Sequence, residues 1–215
     1  MKAAIDHLVV AAAELGRGAA WLEERLGVPL APGGRHAAMG THNRLLKLGP
    51  RLYLELIAID PAAPNHGRPR WFGLDDPALR ARIAERPRLL HWVARCEAIE
   101  ATAAACPEPL GDILDMSRGE FAWRITVRAD GRPPGDGVTP GLIEWRSSAH
   151  PADGLPECGC SLMKLEGFHP DPARMRFALS ALGLADALAV FPAAAGELPG
   201  LAAFLKTPAG LCELD

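Results

Sequence analysis

Reading along the chain, β-branched and leucine positions crowd residues 5–10 (IDHLVV), a helix-like stretch follows over 15–26, and alternating segments return at 43–48 and 51–59. That order predicts a strand, a helix stopped by Gly27, and two strands parted by a turn at Gly49 and Pro50. The pattern then repeats. LLHWVARC (89–96) leads into a helix over 97–105 closed by Pro107, and strands follow at 121–128 and 141–146 behind Thr139-Pro140. A third pass opens at SLMKLEG (161–167), with Asp171 capping a helix whose first residue is Pro172. Short strands at 187–191, 201–206 and 209–214 complete it.

Three copies of one βαβββ unit, the third shortened, predict an α+β protein whose repeated modules form a cupped, barrel-like mixed sheet. The expected divisions are 1–60 and 89–150 for the first two modules and 151–215 for the third. Residues 61–88 form a connector in which Asp76 and Pro77 open a short helix that stops before Pro87. The Gly/Pro-rich stretches at 131–140 and 151–160 are too short to separate independent domains, so the whole forms one body.

The alternation also sorts faces. In YLELIAI, Leu52, Leu54 and Leu56 share one side while Tyr53, Glu55 and Ile57 share the other. A carboxylate held among apolar neighbours needs a metal, a cation or hydrogen bonds. In LIEWR the same rule groups Leu142, Glu144 and Arg146, opposite Ile143 and Trp145. His7 lies with Ile5 and Val9, and His91 with Leu89, Val93 and Arg95. Each of the first two units therefore carries a histidine in its first strand and a glutamate in its last.

Two closing units that bring His7, Glu55, His91 and Glu144 together would suit a divalent ion of intermediate hardness: zinc, nickel, cobalt, manganese or iron(II). The competing arrangement pairs Glu144 with Arg95 or Arg146, and gives Glu55 hydrogen bonds from the His42-Asn43 region. The third unit has Met163 where the first has His7, with Glu213 matching Glu55, so it is expected to pack or shape the site without binding metal. Arg35, His36, His42 and Asn43, in the glycine-rich GGRHAAMGTHN, are candidates for the cavity mouth. Trp92, Trp123 and Trp145 either pack or stack on a ligand, and Arg95 and Arg146 are further candidates for substrate contact.

Composition narrows the partners. With 23 basic against 26 acidic residues and no block of like charge, the chain offers no footprint for nucleic acid or an anionic membrane. The opening MKAAIDHLVV reaches Asp6 and His7 before a signal-peptide core forms, and Leu182–Leu205 is interrupted by Asp186, Pro192, Glu197 and Pro199. Five cysteines in a chain of 215 residues imply reduced thiols and a cytoplasmic setting, with Cys158 and Cys160 as turn thiols. The expected partner is a small molecule, and the expected state a monomer or homodimer.

These residues resemble the glyoxalase-like domain family of the vicinal-oxygen-chelate superfamily across essentially the whole chain. The carriers are DHLVV (6–10), GGRHAAMGTHN (33–43), YLELIAIDP (53–61), RPRWFGLD (68–75), GLIEW (141–145) and HPADGLP (150–156). The resemblance implies a metal held by His7, Glu55, His91 and Glu144, with Glu144 or Glu55 as the base that moves a proton between adjacent carbons. It implies a lyase or isomerase acting on a small oxygenated substrate. Glyoxalase I chains are shorter, and their glutathione-binding basic residues have no counterpart here. A metal-free module that sequesters a small molecule is the second expectation, and an iron(II) ring-cleaving dioxygenase the third.

Overall fold

The structure, a computed structural model, describes residues 3–64 and 67–215; residues 65 and 66 of the expected connector lie outside the described residues. The first unit comprises β1 (Ala4–Ala11), α1 (Leu15–Leu26), β2 (Ala31–His36), β3 (Thr41–Gly49) and β4 (Leu52–Ile59). After α2 (Pro77–Glu85), the second comprises β5 (Arg88–Arg95), α3 (Ile99–Ala105), β6 (Asp112–Arg118), β7 (Phe121–Val127) and β8 (Gly141–Trp145). The third comprises β9 (Ser161–His169), α4 (Pro172–Ala181), β10 (Ala189–Pro192), β11 (Gly200–Thr207) and β12 (Gly210–Leu214).

Local chemistry sets the helix ends. Asp76 accepts from the Ala78 N–H and Asp171 from the Arg174 N–H, each with proline at the first helical position. Gly27 ends α1 at φ 70°, a conformation that costs glycine no clash, and its N–H bonds to the Glu23 carbonyl.

The first two units merge into one curled sheet of eight strands, in the order β2-β3-β4-β1-β5-β8-β7-β6. Within each unit the first strand runs parallel to the last (β1 with β4, β5 with β8), and β1 joins β5 antiparallel. Alternation gives this sheet two apolar faces. Leu8, Val10, Leu54, Leu56, Trp92 and Leu142 point outward onto helices and the second sheet. Val9, Ala11, Ile57, Val93, Ile125 and Ile143 line the concave side with Trp71, Phe72 and Trp123.

The third unit repeats the element order but not the pairing. Its sheet runs β10-β9-β11-β12, so β9 lies between β10 and β11 and never meets the last strand. Glu213, expected to match Glu55, is exposed on the edge strand β12, and Met163 is exposed as well. This sheet packs its apolar side into the outer core of the larger one, contributing Leu165, Leu201, Leu205 and Leu214. Among the described residues no helix is long and apolar enough to cross a membrane.

Candidate functional site

The concave face holds a buried polar cluster built mainly on the first unit. Asp6 and His7 are neighbours on β1, and a register shift against β5 at Ile5/His7 lies beside them. The His7 Nδ1–H donates to Asp6 Oδ1 at 2.8 Å. Asp6, fully buried, also accepts at Oδ2 from the Trp145 indole N–H (2.9 Å) and from His150 Nε2 (3.1 Å). Burial opposes ionisation of Asp6, but the hydrogen bonds from His150 and His7 outweigh it and hold the carboxyl well below the usual carboxylate range. A permanently charged Asp6 keeps the proton on His7 Nδ1, leaving Nε2 to face the cavity.

Across the cavity stands Glu55 on β4, with Oε2 4.0 Å from His7 Nε2. The Asn43 side-chain N–H donates to Glu55 Oε1, and Asn43 Oδ1 accepts from the Gly34 N–H (2.7 Å) and from Arg118 (3.3 Å). Arg118 reaches in from β6 and also donates to His36 Nε2 at 3.1 Å. The glycines of β2 permit this closeness. A Cβ on Gly33 would fall 2.1 Å from Asn43 Oδ1, and one on Gly34 2.7 Å from Arg118 Cδ. Burial pushes His36 down to about 4, with Glu55 opposing and Arg118 adding to the shift, so its ring is neutral near pH 7. Tyr53 stacks on the His7 ring with centroids 4.7 Å apart, and burial raises its hydroxyl pKa.

The remaining free volume in the cup is about 30 Å³, room for about two water molecules. Trp71, Phe72, Trp123 and Trp145 form its apolar wall. Phe72 carries φ 59°, a left-handed conformation that costs a bulky side chain on the order of 1–3 kcal/mol.

The second pair expected at the site does not join it. His91 lies on the concave side, but its Nδ1–H donates to the Gly137 carbonyl (3.2 Å) and its Nε2 accepts from the Gly141 N–H (2.9 Å). Burial drives its pKa down to about 3 against that carbonyl bond, and both ring nitrogens are spoken for by backbone. Glu144 is on the opposite face of the sheet. It accepts there from Arg124, the Ile99 N–H (3.3 Å) and Arg146 (3.1 Å). The register explains the failure: β1 aligns Val9 with Glu55, whereas β5 aligns Val93 with Gly141. Gly141, not Glu144, stands where the second unit would carry an inward carboxylate.

The four expected donors therefore do not converge: His7 and Glu55 face the cup, His91 is bound by backbone, and Glu144 lies on the other face of the sheet. Among the described residues, no group of three or more His, Cys, Asp or Glu side chains is disposed to hold a metal ion. Of the residues expected at the cavity mouth or against a ligand, His36, Asn43, Trp123 and Trp145 line the cup, and Arg35, His42, Trp92, Arg95 and Arg146 do not. Arg35 is 69% exposed and lies 3.4 Å from Asp60. His42, on the outer side of β3, borders a separate hollow between α1 and α2, and burial lowers its pKa. Trp92 is fully buried in the outer core, donating to the Val138 carbonyl at 2.9 Å. Arg95 binds the carbonyls of Ile5 and Arg51, and Arg146 serves Glu144.

Sequence reasoning missed Asp6, Tyr53, Arg118 and His150. The Asp6-His7 dipeptide was the available signal, since a carboxylate beside a buried histidine readily orients its ring.

No curated protein matches the sequence. Among solved structures, a hypothetical protein from Staphylococcus aureus shares the fold, with a TM-score of 0.57 and 14% identity over 85% of this chain and 75% of that one. Methylmalonyl-CoA epimerase from Mycobacterium tuberculosis gives 0.43, with 14% identity over 68% of this chain and 89% of its own. A hypothetical protein from Bacillus halodurans gives 0.44, with 12% identity over 70% and 98%. A family model described as a glyoxalase-like domain matches residues 5–183. That span takes in both modules of the curled sheet and the start of the third unit, so the chain belongs to the glyoxalase-like domain family.

Proposed function

We propose that the protein moves a proton on a small oxygenated substrate bound in the cup, an isomerase-type or lyase-type reaction. Glu55 is the base that takes the proton from one carbon and returns it to the next, and His7 Nε2, with Asp6 holding the ring proton on Nδ1, accepts the proton of the substrate hydroxyl. The observation that carries this reading is the 4.0 Å gap between His7 Nε2 and Glu55 Oε2, with Asp6 fixing the far side of the imidazole. Two proton-carrying groups facing one small space are what proton transfer to and from carbon needs. Asn43 steadies the Glu55 oxygen that faces away from His7, so the other is left for the substrate. No step is assigned to a metal, because the donors that a four-ligand centre requires are dispersed.

The test is carbon–hydrogen exchange. Small α-hydroxy ketones and 2-oxo acids are incubated with the protein in D2O, and loss of the acidic C–H signal is followed by NMR. Exchange above background that falls about 10²–10⁴-fold in Glu55→Gln supports the assignment. Exchange that survives Glu55→Gln and His7→Gln, or that disappears on chelation and returns with a divalent ion, overturns it.

A second reading, sequestration of a small molecule without turnover, is favoured by the tryptophan-rich wall. It predicts ligand-dependent melting shifts with no exchange in any substrate of the panel.

A further inference from the structure

A chamber of about 30 Å³ holds water but no organic substrate, so part of its wall must yield. Two residues of that wall also border larger spaces. Trp145 separates the cup from a hollow of about 330 Å³ beside Arg95 and Glu144. Phe72 separates it from a groove of about 420 Å³ between α2 and the start of β11.

The two partitions differ in how they are held. The Trp145 indole is tied to Asp6 by a 2.9 Å hydrogen bond, and moving it would strip a donor from a buried carboxylate. The Phe72 side chain has no polar tether. It rests on Trp71 (centroids 5.3 Å) and His91 (5.6 Å), and its backbone is held in the left-handed region, beside Gly73 in the same region. A strained aromatic residue between two cavities is a partition set to move.

We propose that Phe72 is the inner gate of one continuous binding site, in which the 420 Å³ groove holds the body of an elongated ligand and the cup receives its oxygenated end. This deepens the proton-transfer reading and rests on it. With the gate displaced, the joined space falls within the range of about 300–1,000 Å³ usual for small-molecule sites. The groove presents Leu79, Leu90, Leu198 and Leu201 with Arg82 and Asp136 at its margin, chemistry that suits an apolar body with a polar outer end. The ligand class is thus an amphipathic molecule with an oxygenated leading end, larger than the cup alone suggests. Phe72 then sets which leading ends pass.

Benzyl alcohol, an apolar ring with one oxygenated arm, serves as the probe, and methyl NMR signals as reporters: Leu90 and Leu201 for the groove, Ile143 and Ile125 for the cup. In the wild type both sets shift along one saturation curve. Phe72→Ala tightens the cup response at least tenfold, Phe72→Leu gives an intermediate value, and Phe72→Trp leaves the groove response while silencing the cup. Melting curves confirm that each variant folds, and Phe72→Leu keeps the test alive if the smaller residue does not. The gate is refuted if the cup signals stay still in Phe72→Ala and Phe72→Leu. It is equally refuted if Arg118→Ala, with Phe72 intact, opens the cup instead. The two readings fail separately: absence of hydrogen exchange in the wild type removes the proton-transfer reading and leaves the Phe72 order of cup responses standing, whereas a flat Phe72 series removes the gate alone.

Discussion

The first and second modules share topology, strand order and even residue types, yet only the first turns both its histidine and its glutamate into the cup. In the first, His7 is gripped at one nitrogen by a carboxylate and open at the other, and Glu55 points into the cup. In the second, His91 is bound at both nitrogens by the backbone of Gly137 and Gly141, and Glu144 points away into a pair of arginines. A histidine and a glutamate on matching strands therefore do not define a matching site. Parity along the strand and the partner of the second ring nitrogen decide the outcome, because a one-residue offset moves a side chain to the opposite face of the sheet.

The sharpest way to break this comparison is to neutralise the two glutamates in parallel. Glu55→Gln should cut C–H exchange about 10²–10⁴-fold, whereas Glu144→Gln should leave exchange within error and lower stability by less than about 1.5 kcal/mol. Equal losses of exchange in both variants would show that the modules act together after all. Next in size is His91→Ala. It leaves the Gly141 N–H and Gly137 carbonyl without their partner and opens a void, a cost of about 2–4 kcal/mol readable from urea unfolding.

A pH series sharpens the same contrast. His91 and His36 titrate in the folded chain at about 3 and about 4, below the ordinary 6.5. Between each folded value and 6.5 the unfolded chain binds protons that the folded chain refuses, so their contribution is complete above pH 6.5 and drains away as pH falls, to about 4 for His36 and about 3 for His91. The urea midpoint should drop across that window, and His91→Leu should show a flatter drop. Asp6 has the same sign, its depressed pKa making it a loss only in stronger acid, below its unfolded value. The smallest effect expected is that of metal. Chelation followed by zinc or nickel should leave exchange unchanged and move the melting midpoint by no more than ~1 °C, the signature of no specific site.

Most of the architecture was legible from alternation and turn residues. β1, α1, β4, β5, β8, β9 and α4 lie within one or two residues of their expected positions, because β-branched runs and Asp-Pro or Gly boundaries are strong local signals. β2 and β6 were not legible. APGGRH has proline and two glycines where a strand normally carries branched residues, and DILDMSR mixes charge on both faces, since each forms an outer edge of the curled sheet. Missing β6 meant missing Arg118. The pairing of the third unit was equally hidden, because element order says nothing of which strand β9 will choose.

At the site, the inward face of Glu55 was readable from YLELIAI, and the outward face of Glu144 from its grouping with Leu142. Residue type alone groups Glu144 with Glu55, whereas strand parity separates them. The competing expectation, Glu144 on Arg146 and Glu55 on Asn43, describes the contacts the structure contains. What no local pattern carried was Asp6–His150, a bond between residues 144 positions apart.

That bond has a consequence for the order in which the protein is made. Asp6 lies on β1, but its Oδ2 partners, Trp145 and His150, are synthesised after both strands that flank β1 in the finished sheet. At roughly 5–20 residues per second, β1 waits between about 7 and 30 seconds for them. During that interval an interior-bound carboxylate lacks two of its donors, so the nascent first module gains little by closing early. The half of the cup that holds His7 and Glu55 is thus completed by the arrival of the half that supplies Trp145 and His150.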